Sequence, residues 1–222
     1  MPSRRHKPRI SANALIEYMR AGSARRRKIV EEQQKPADFM VIYYQPASDA
    51  IARFIASKAS NDSQLVSAIE SLLATPPNSD WDATRNQANA QAISSFRDMQ
   101  HNLRLRGASP RRTSTRMPKL EFAGATLSVQ PELTLHDAEG DVVGAIKFYF
   151  SKKSTAKLDD ESGGYLSALV WQLLSSNGDK PEHSRCIAVD VFGQTIHTSP
   201  RAFRRLLNDV TAACEEIVLR WG

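Results

Sequence analysis

At 222 residues, with 41% hydrophobic and 24% charged side chains, the chain has the composition of a globular protein with one sizeable core and at most a small appendage. No apolar run reaches the about 20 residues of a membrane span, and the basic start MPSRRHKPRI lacks the apolar stretch of an export signal. A cytoplasmic protein of bacterial type with no membrane partner is expected, carrying Cys186 and Cys214 as free buried thiols.

In chain order, residues 1–10 read as a disordered basic tail. SANALIEYMRAGSARRRKIVEEQQ reads as helix, with Ser11 as N-cap and a break at Gly22–Ser23. Pro36 ends it. DFMVIYYQP is an apolar run between two prolines and reads as a strand or an extended connection. Three helices follow, over ASDAIARFIASK with an Ile51, Phe54, Ile55 stripe, SQLVSAIESLLAT, and ATRNQANAQAISSFRDMQHNL. RLRGASPRRTSTRMPK is polar and rich in turn formers, so it reads as a loop.

Beyond it the apolar period changes to two. LEFAGATLSVQPELTLHD alternates at Leu127, Val129, Leu133 and Leu135, AEGD is a turn, and VVGAIKFYFS is a further strand. DDESGGYLSALVWQLLSS is a helix with acids at its positive end. RCIAVDVFGQTIHT is a strand or a hairpin turning at Gly193. The last helix is expected to open at Ser199–Pro200. The fold class is α/β, a mixed sheet flanked by helices: a tail at 1–10, a helical N-terminal region at 11–84 and an α/β core at 85–222.

The net charge of +6 is unevenly spread. Residues 1–35 hold ten Lys/Arg against three acids, and residues 99–120 hold six Lys/Arg and no acid, so the remainder is net acidic. Concentrated basic blocks suit a phosphate backbone, where each neutralised phosphate releases counterions; the alternative is a solvated tail and loop. The nucleic-acid-contacting candidates are Arg25, Arg26, Arg27 and Lys28 in the first block, and Arg104, Arg106, Arg111 and Arg112, running on to Arg116, in the second. Tyr43 and Tyr44 could stack bases or divide between core and surface. There is no GxxxxGK[ST], GxGxxG or GxSxG, so no nucleotide cofactor and no serine hydrolase are expected. The histidines share no zinc-ligand spacing.

Pro131–Glu132 in VQPEL, Lys147 in AIKFYF, and the order helix, three strands, helix, strand resemble the PD-(D/E)XK nuclease superfamily, the fold of restriction endonucleases and RecB-type nucleases. ISANALIEYM is similar to the S-x-x-x-L-x-x-Y opening of RecB-type members. The resemblance covers about residues 85–192 and implies a restriction-endonuclease-like core, Mg²⁺ as cofactor, and cleavage of DNA or RNA. Glu132 would hold the metal, Lys147 would orient the attacking water, and Asp190 would stand in as second metal ligand, with Asp98 and Glu17 as further candidates.

Two departures are evident. Ala145 occupies the place of the acid two residues before Lys147, and Tyr165 and Gln172 occur in the reverse of the RecB-type order. They open the alternative of a catalytically inactive interaction or regulatory subunit with a protein partner. Ordinary sheet carrying a cross-strand Glu–Lys pair remains the plain reading of the two residues.

Overall fold

The computed structural model describes residues 7–35, 43–58 and 61–221. β1 (Arg9–Ser11) leads into α1 (Ala12–Arg20) and α2 (Ser23–Gln34). α3 (Gln45–Ser57), α4 (Ser63–Ala74) and α5 (Asp80–Met99) follow. Then come β2 (Ser109–Arg112), β3 (Leu120–Phe122), β4 (Ala125–Ser128), β5 (Leu133–His136) and β6 (Val142–Tyr149). The chain closes with α6 (Asp160–Ser176), β7 (Cys186–Asp190), β8 (Thr195–Thr198) and α7 (Arg204–Trp221). The result is a mixed α/β fold built around two mixed sheets.

The main sheet has the order β2-β5-β6-β7-β8. β6 and β7 are parallel, with α6 as the connection that parallel neighbours require, and every other pair is antiparallel. A smaller sheet, β1-β4-β3, holds the beginning of the described chain: β1 runs parallel to β4, pairing Ile10 with Leu127. β3 and β4 are joined by a two-residue turn in which Ala123 (φ 46°) and Gly124 (φ 84°) both take left-handed backbone, the geometry that matches strand twist.

Alternation assigns the two faces of the main sheet. Leu133, Leu135, Ile146, Phe148, Ile187 and Val189 point to one side and pack under α3 and α5 with Ile51, Ile93 and Phe96. Ala145, Tyr149, Cys186 and Ala188 point to the other, under α6, with α1, α2, α7 and the small sheet completing that layer. Both cysteines are free and buried, as expected.

Local signals explain most boundaries. Ser11 Oγ accepts the Ala14 N–H at 3.3 Å to start α1. Ser79 accepts the Asp82 N–H at 3.2 Å, which starts α5 ahead of the stretch at 83 where the helix is expected. Asp159 and Ser162 form a capping box at α6.

The structure differs from expectation in five places. Residues 9 and 10, read as tail, form most of β1, because Ile10 is an apolar side chain that the small sheet buries. The basic loop contains β2, whose Pro110 is tolerated because the strand lies at a sheet edge. α7 begins at Arg204 rather than at Ser199, whose hydroxyl is buried and bonded to His183 at 3.0 Å. β3 and β4 leave the main sheet. Finally, helices from residues 11–84 are built into both layers, α1 and α2 on one face and α3 on the other. Most of DFMVIYYQP lies outside the described residues; its Tyr43–Tyr44 end is a turn, and α3 starts at Gln45 with Pro46 in its first turn.

Candidate functional site

Glu132 stands just before β5 and Lys147 directly across from it on β6, as the pairing of Leu133 with Ile146 dictates. The Glu132 N–H donates to the Ile146 carbonyl at 2.9 Å, so the backbone fixes the carboxylate's position. Lys147 Nζ lies 2.6 Å from Glu132 Oε1, and the Phe148 N–H donates to Oε2 at 2.7 Å. The carboxylate thus supplies an acceptor to β6 where β5 has ended. The lysine side chain is 12% exposed and the glutamate 19%, so the pair is recessed rather than a solvated surface contact. Both carboxylate oxygens have internal partners.

Asp190 ends β7 on the same face, paired in register with Tyr149. It is fully buried, and both of its oxygens accept backbone N–H groups: Leu158 at 2.7 Å and Gly193 at 2.8 Å. It ties the approach to α6 to the β7–β8 turn. A Cβ at Gly193 would collide with this carboxylate, which is why glycine sits there. Glu17 on α1 pairs with Arg25 at 2.8 Å. Burial, followed by the charges of Glu17 and Asp190, pushes the Tyr149 hydroxyl up to about 12. Asp98 belongs to α5 and hence to the layer on the opposite face of the sheet from Lys147. Ala145 is fully buried in the core, and its register partners are Thr134 and Cys186.

Mg²⁺ takes hard oxygen ligands in a near-octahedral shell. The donors present do not fit it: one carboxylate is spent on Lys147 and a backbone amide, the next is spent on two amides, and a methyl group stands at the third position. Among the described residues no group of three or more His, Cys, Asp or Glu side chains is placed to share a metal ion.

The basic candidates divide sharply. Arg25 bridges Glu17 and Glu32 at 2.8 and 2.9 Å, and these hydrogen bonds raise its pKa. Arg26 caps the end of α1 through the Tyr18, Met19 and Ala21 carbonyls and reaches Glu216 at 2.9 Å. Both are engaged within the chain, and the cap is a role that their place in an Arg-rich run does not reveal. Arg27 and Lys28 are exposed.

Arg104, Arg106, Arg111, Arg112 and Arg116 are all exposed, and of these only Arg112 makes an ion pair among the described residues, with Asp49 at 3.2 Å. Arg106 sits at the tip of a tight turn closed by the Ala108 N–H to Leu105 carbonyl bond. Its φ of 50°, followed by Gly107 at 78°, is left-handed backbone that favours glycine or asparagine. With Arg104 it lines a cleft of about 420 Å³ along the free edge of β8, opposite Thr195, His197 and Thr198. Arg111 and Arg112 lie further along, on edge strand β2.

Sequence reasoning missed an aromatic cluster at the end of the sheet where β6 and β7 finish. Tyr44 stacks on Phe150 with centroids 5.0 Å apart and meets Phe192 edge-on at 5.7 Å. Tyr43 meets Tyr44 at 4.9 Å and Trp81 at 6.2 Å. The Tyr43–Tyr44 pair was the only signal for it, since the other rings come from three distant segments. No protein-family model and no curated protein sequence matches the chain.

Proposed function

We propose that this protein binds nucleic acid through the basic segment 104–119 and does so without metal-dependent cleavage. The observation that carries the reading is the state of that segment: six Lys/Arg and no acid, with the named arginines exposed and all but Arg112 without an ion pair among the described residues. Arg106 adds to it by its place, since the tip of a tight turn presents its exposed side chain to solvent.

The nuclease-like part of the reading draws support from the order α5, β2, β5, β6, α6, β7 in and around the main sheet, with Glu132 just before β5 facing Lys147 on β6. Loss of hydrolysis draws support from the donor set. Ala145 is packed in the core, and Asp190 is consumed by backbone amides. In this reading Glu132 and Lys147 hold the sheet together rather than carry chemistry. A subunit role with a protein partner is the reading left if nucleic acid is not bound.

The test is a salt titration of binding to a labelled DNA or RNA. Affinity should fall steeply as salt rises, and Arg104→Ala and Arg106→Ala should each reduce the slope of log K against log salt by about one. A flat salt response, or variants indistinguishable from wild type, would overturn the assignment of this segment.

A further inference from the structure

The aromatic cluster is a continuous ladder running Trp81, Tyr43, Tyr44, then Phe150 and Phe192. Tyr44, Phe150 and Phe192 pack against the core beneath α3 and α5, and Phe150 meets the buried Phe148, but three features suit the outer side of the cluster to a ligand. First, it lies at the surface: Trp81 is 42% exposed, and the other four rings are half-buried. Second, cations flank both ends. The Arg85 guanidinium lies 5.4 Å from the Trp81 ring centre, and the Lys152 ammonium lies 5.6 Å from that of Phe192.

Third, polar groups of α5 hold the segments that present the rings. The fully buried Asn89 accepts the Ala47 N–H at 2.9 Å and donates to the Tyr43 carbonyl at 2.6 Å. Gln91 accepts from Lys152 at 2.5 Å, and Ser95 donates to the Val191 carbonyl at 2.7 Å, beside Phe192. A buried side-chain amide is costly unless its hydrogen bonds are made, and here they are spent on fixing a tyrosine turn. The ladder is therefore preorganised.

Its place in the fold also fits. In an open α/β sheet, ligands bind beyond the carboxyl ends of the parallel strands, and Phe150 and Phe192 stand just past the ends of β6 and β7. The basic segment leads to the same end: β2 runs parallel to β6, and Arg112 at its last position pairs with Asp49 in the second turn of α3, close after Tyr44.

We propose that this ladder is a stacking platform for the bases of a single-stranded nucleic acid, whose phosphates run along the cations of segment 104–119; the proposal rests on the nucleic-acid reading above. Aromatic faces flanked by cations are what a strand with unstacked bases requires, and base–aromatic stacking tolerates any sequence. A duplex keeps its bases stacked inside and cannot use such rings, so the ladder selects single strands.

The experiment is fluorescence anisotropy at low salt with the full chain and two labelled probes, an oligothymidylate of about twenty nucleotides and a duplex of equal length. Wild type should bind the single strand at least about tenfold more tightly. Trp81→Ala, which removes an exposed ring, should weaken single-strand binding about tenfold and leave duplex binding unchanged. Lys152→Ala supplies a second variant, expected to lower single-strand affinity and its salt slope together. Equal binding of both probes, unaffected by Trp81→Ala, would overturn the ladder's role while the basic segment's role stood. Binding of neither probe would overturn both.

Discussion

Glu132 and Lys147 combine a spacing that looks catalytic in sequence with a recessed pairing that joins β6 to the start of β5 in the fold. Their spacing across a turn places them opposite each other, and the same spacing lets the carboxylate take the Phe148 N–H beyond the end of β5. Removing the carboxylate strands a recessed ammonium and an amide together. Glu132→Ala should therefore cost about 2 kcal/mol in urea unfolding, and Lys147→Met in that background should return part of the loss. A double-mutant cycle without coupling energy would mean that the pair is an ordinary solvated contact. The pairing and its face were legible in the sequence because strand alternation is local. The fate of Asp190 was not: its bond from the Gly193 N–H is local to the turn after β7, but Leu158 becomes a partner only once α6 packs back on the sheet. The two thiols illustrate the same burial from another side: it pushes Cys186 up to about 12 and Cys214 up to about 11, which leaves both unreactive at neutral pH.

At the scale of elements, α6 is the connection on which the sheet depends. Gly163 allows it to approach β8 so closely that a Cβ there would meet the His197 ring. Its N-terminus is set by Asp159, whose carboxyl is held below its ordinary value by the Ser162 hydroxyl and N–H, against the opposing effect of burial. A carboxylate with a lowered folded pKa contributes stability that is present above its unfolded value and lost as pH falls through the folded one. Asp159→Ala should thus cost about 1 kcal/mol at neutral pH, and its deficit relative to wild type should shrink on the acid side. A deficit that is constant with pH would show that the cap acts without its charge. Helices of this kind, and the Ser11 cap of α1, were readable from their own residues, whereas the caps at Ser79 and Asp159 were not. β2 was not, because Ser-Pro-Arg-Arg carries no alternation, and only pairing with β5 along an edge makes it a strand. The start of α7 was misplaced for a related reason: Ser199 has the chemistry of a cap, but its hydroxyl is claimed by His183, which stacks on Trp171.

For the whole molecule, the uneven charge seen in the sequence becomes a division of labour. In the first basic block Arg25 and Arg26 turn inward and brace α1, α2 and α7, while Arg27 and Lys28 stay exposed. The second stays outside, reaching from the β8 edge to the end of β2 near the aromatic ladder. Composition counts both blocks alike; what separates them is the set of acids the fold brings to each, and that set is long-range for Arg26 with Glu216. The fold class and the two faces of the sheet could be read beforehand, whereas the assembly of Trp81, Tyr44, Phe150 and Phe192 could not.

The central claim, binding without hydrolysis, is tested most directly by incubating the full chain with end-labelled single-stranded DNA and RNA in Mg²⁺ or Mn²⁺, following complex formation and strand length together. The account predicts a salt-sensitive complex containing intact strands. Metal-dependent shortening of the strand that Glu132→Gln or Lys147→Met abolishes would contradict it.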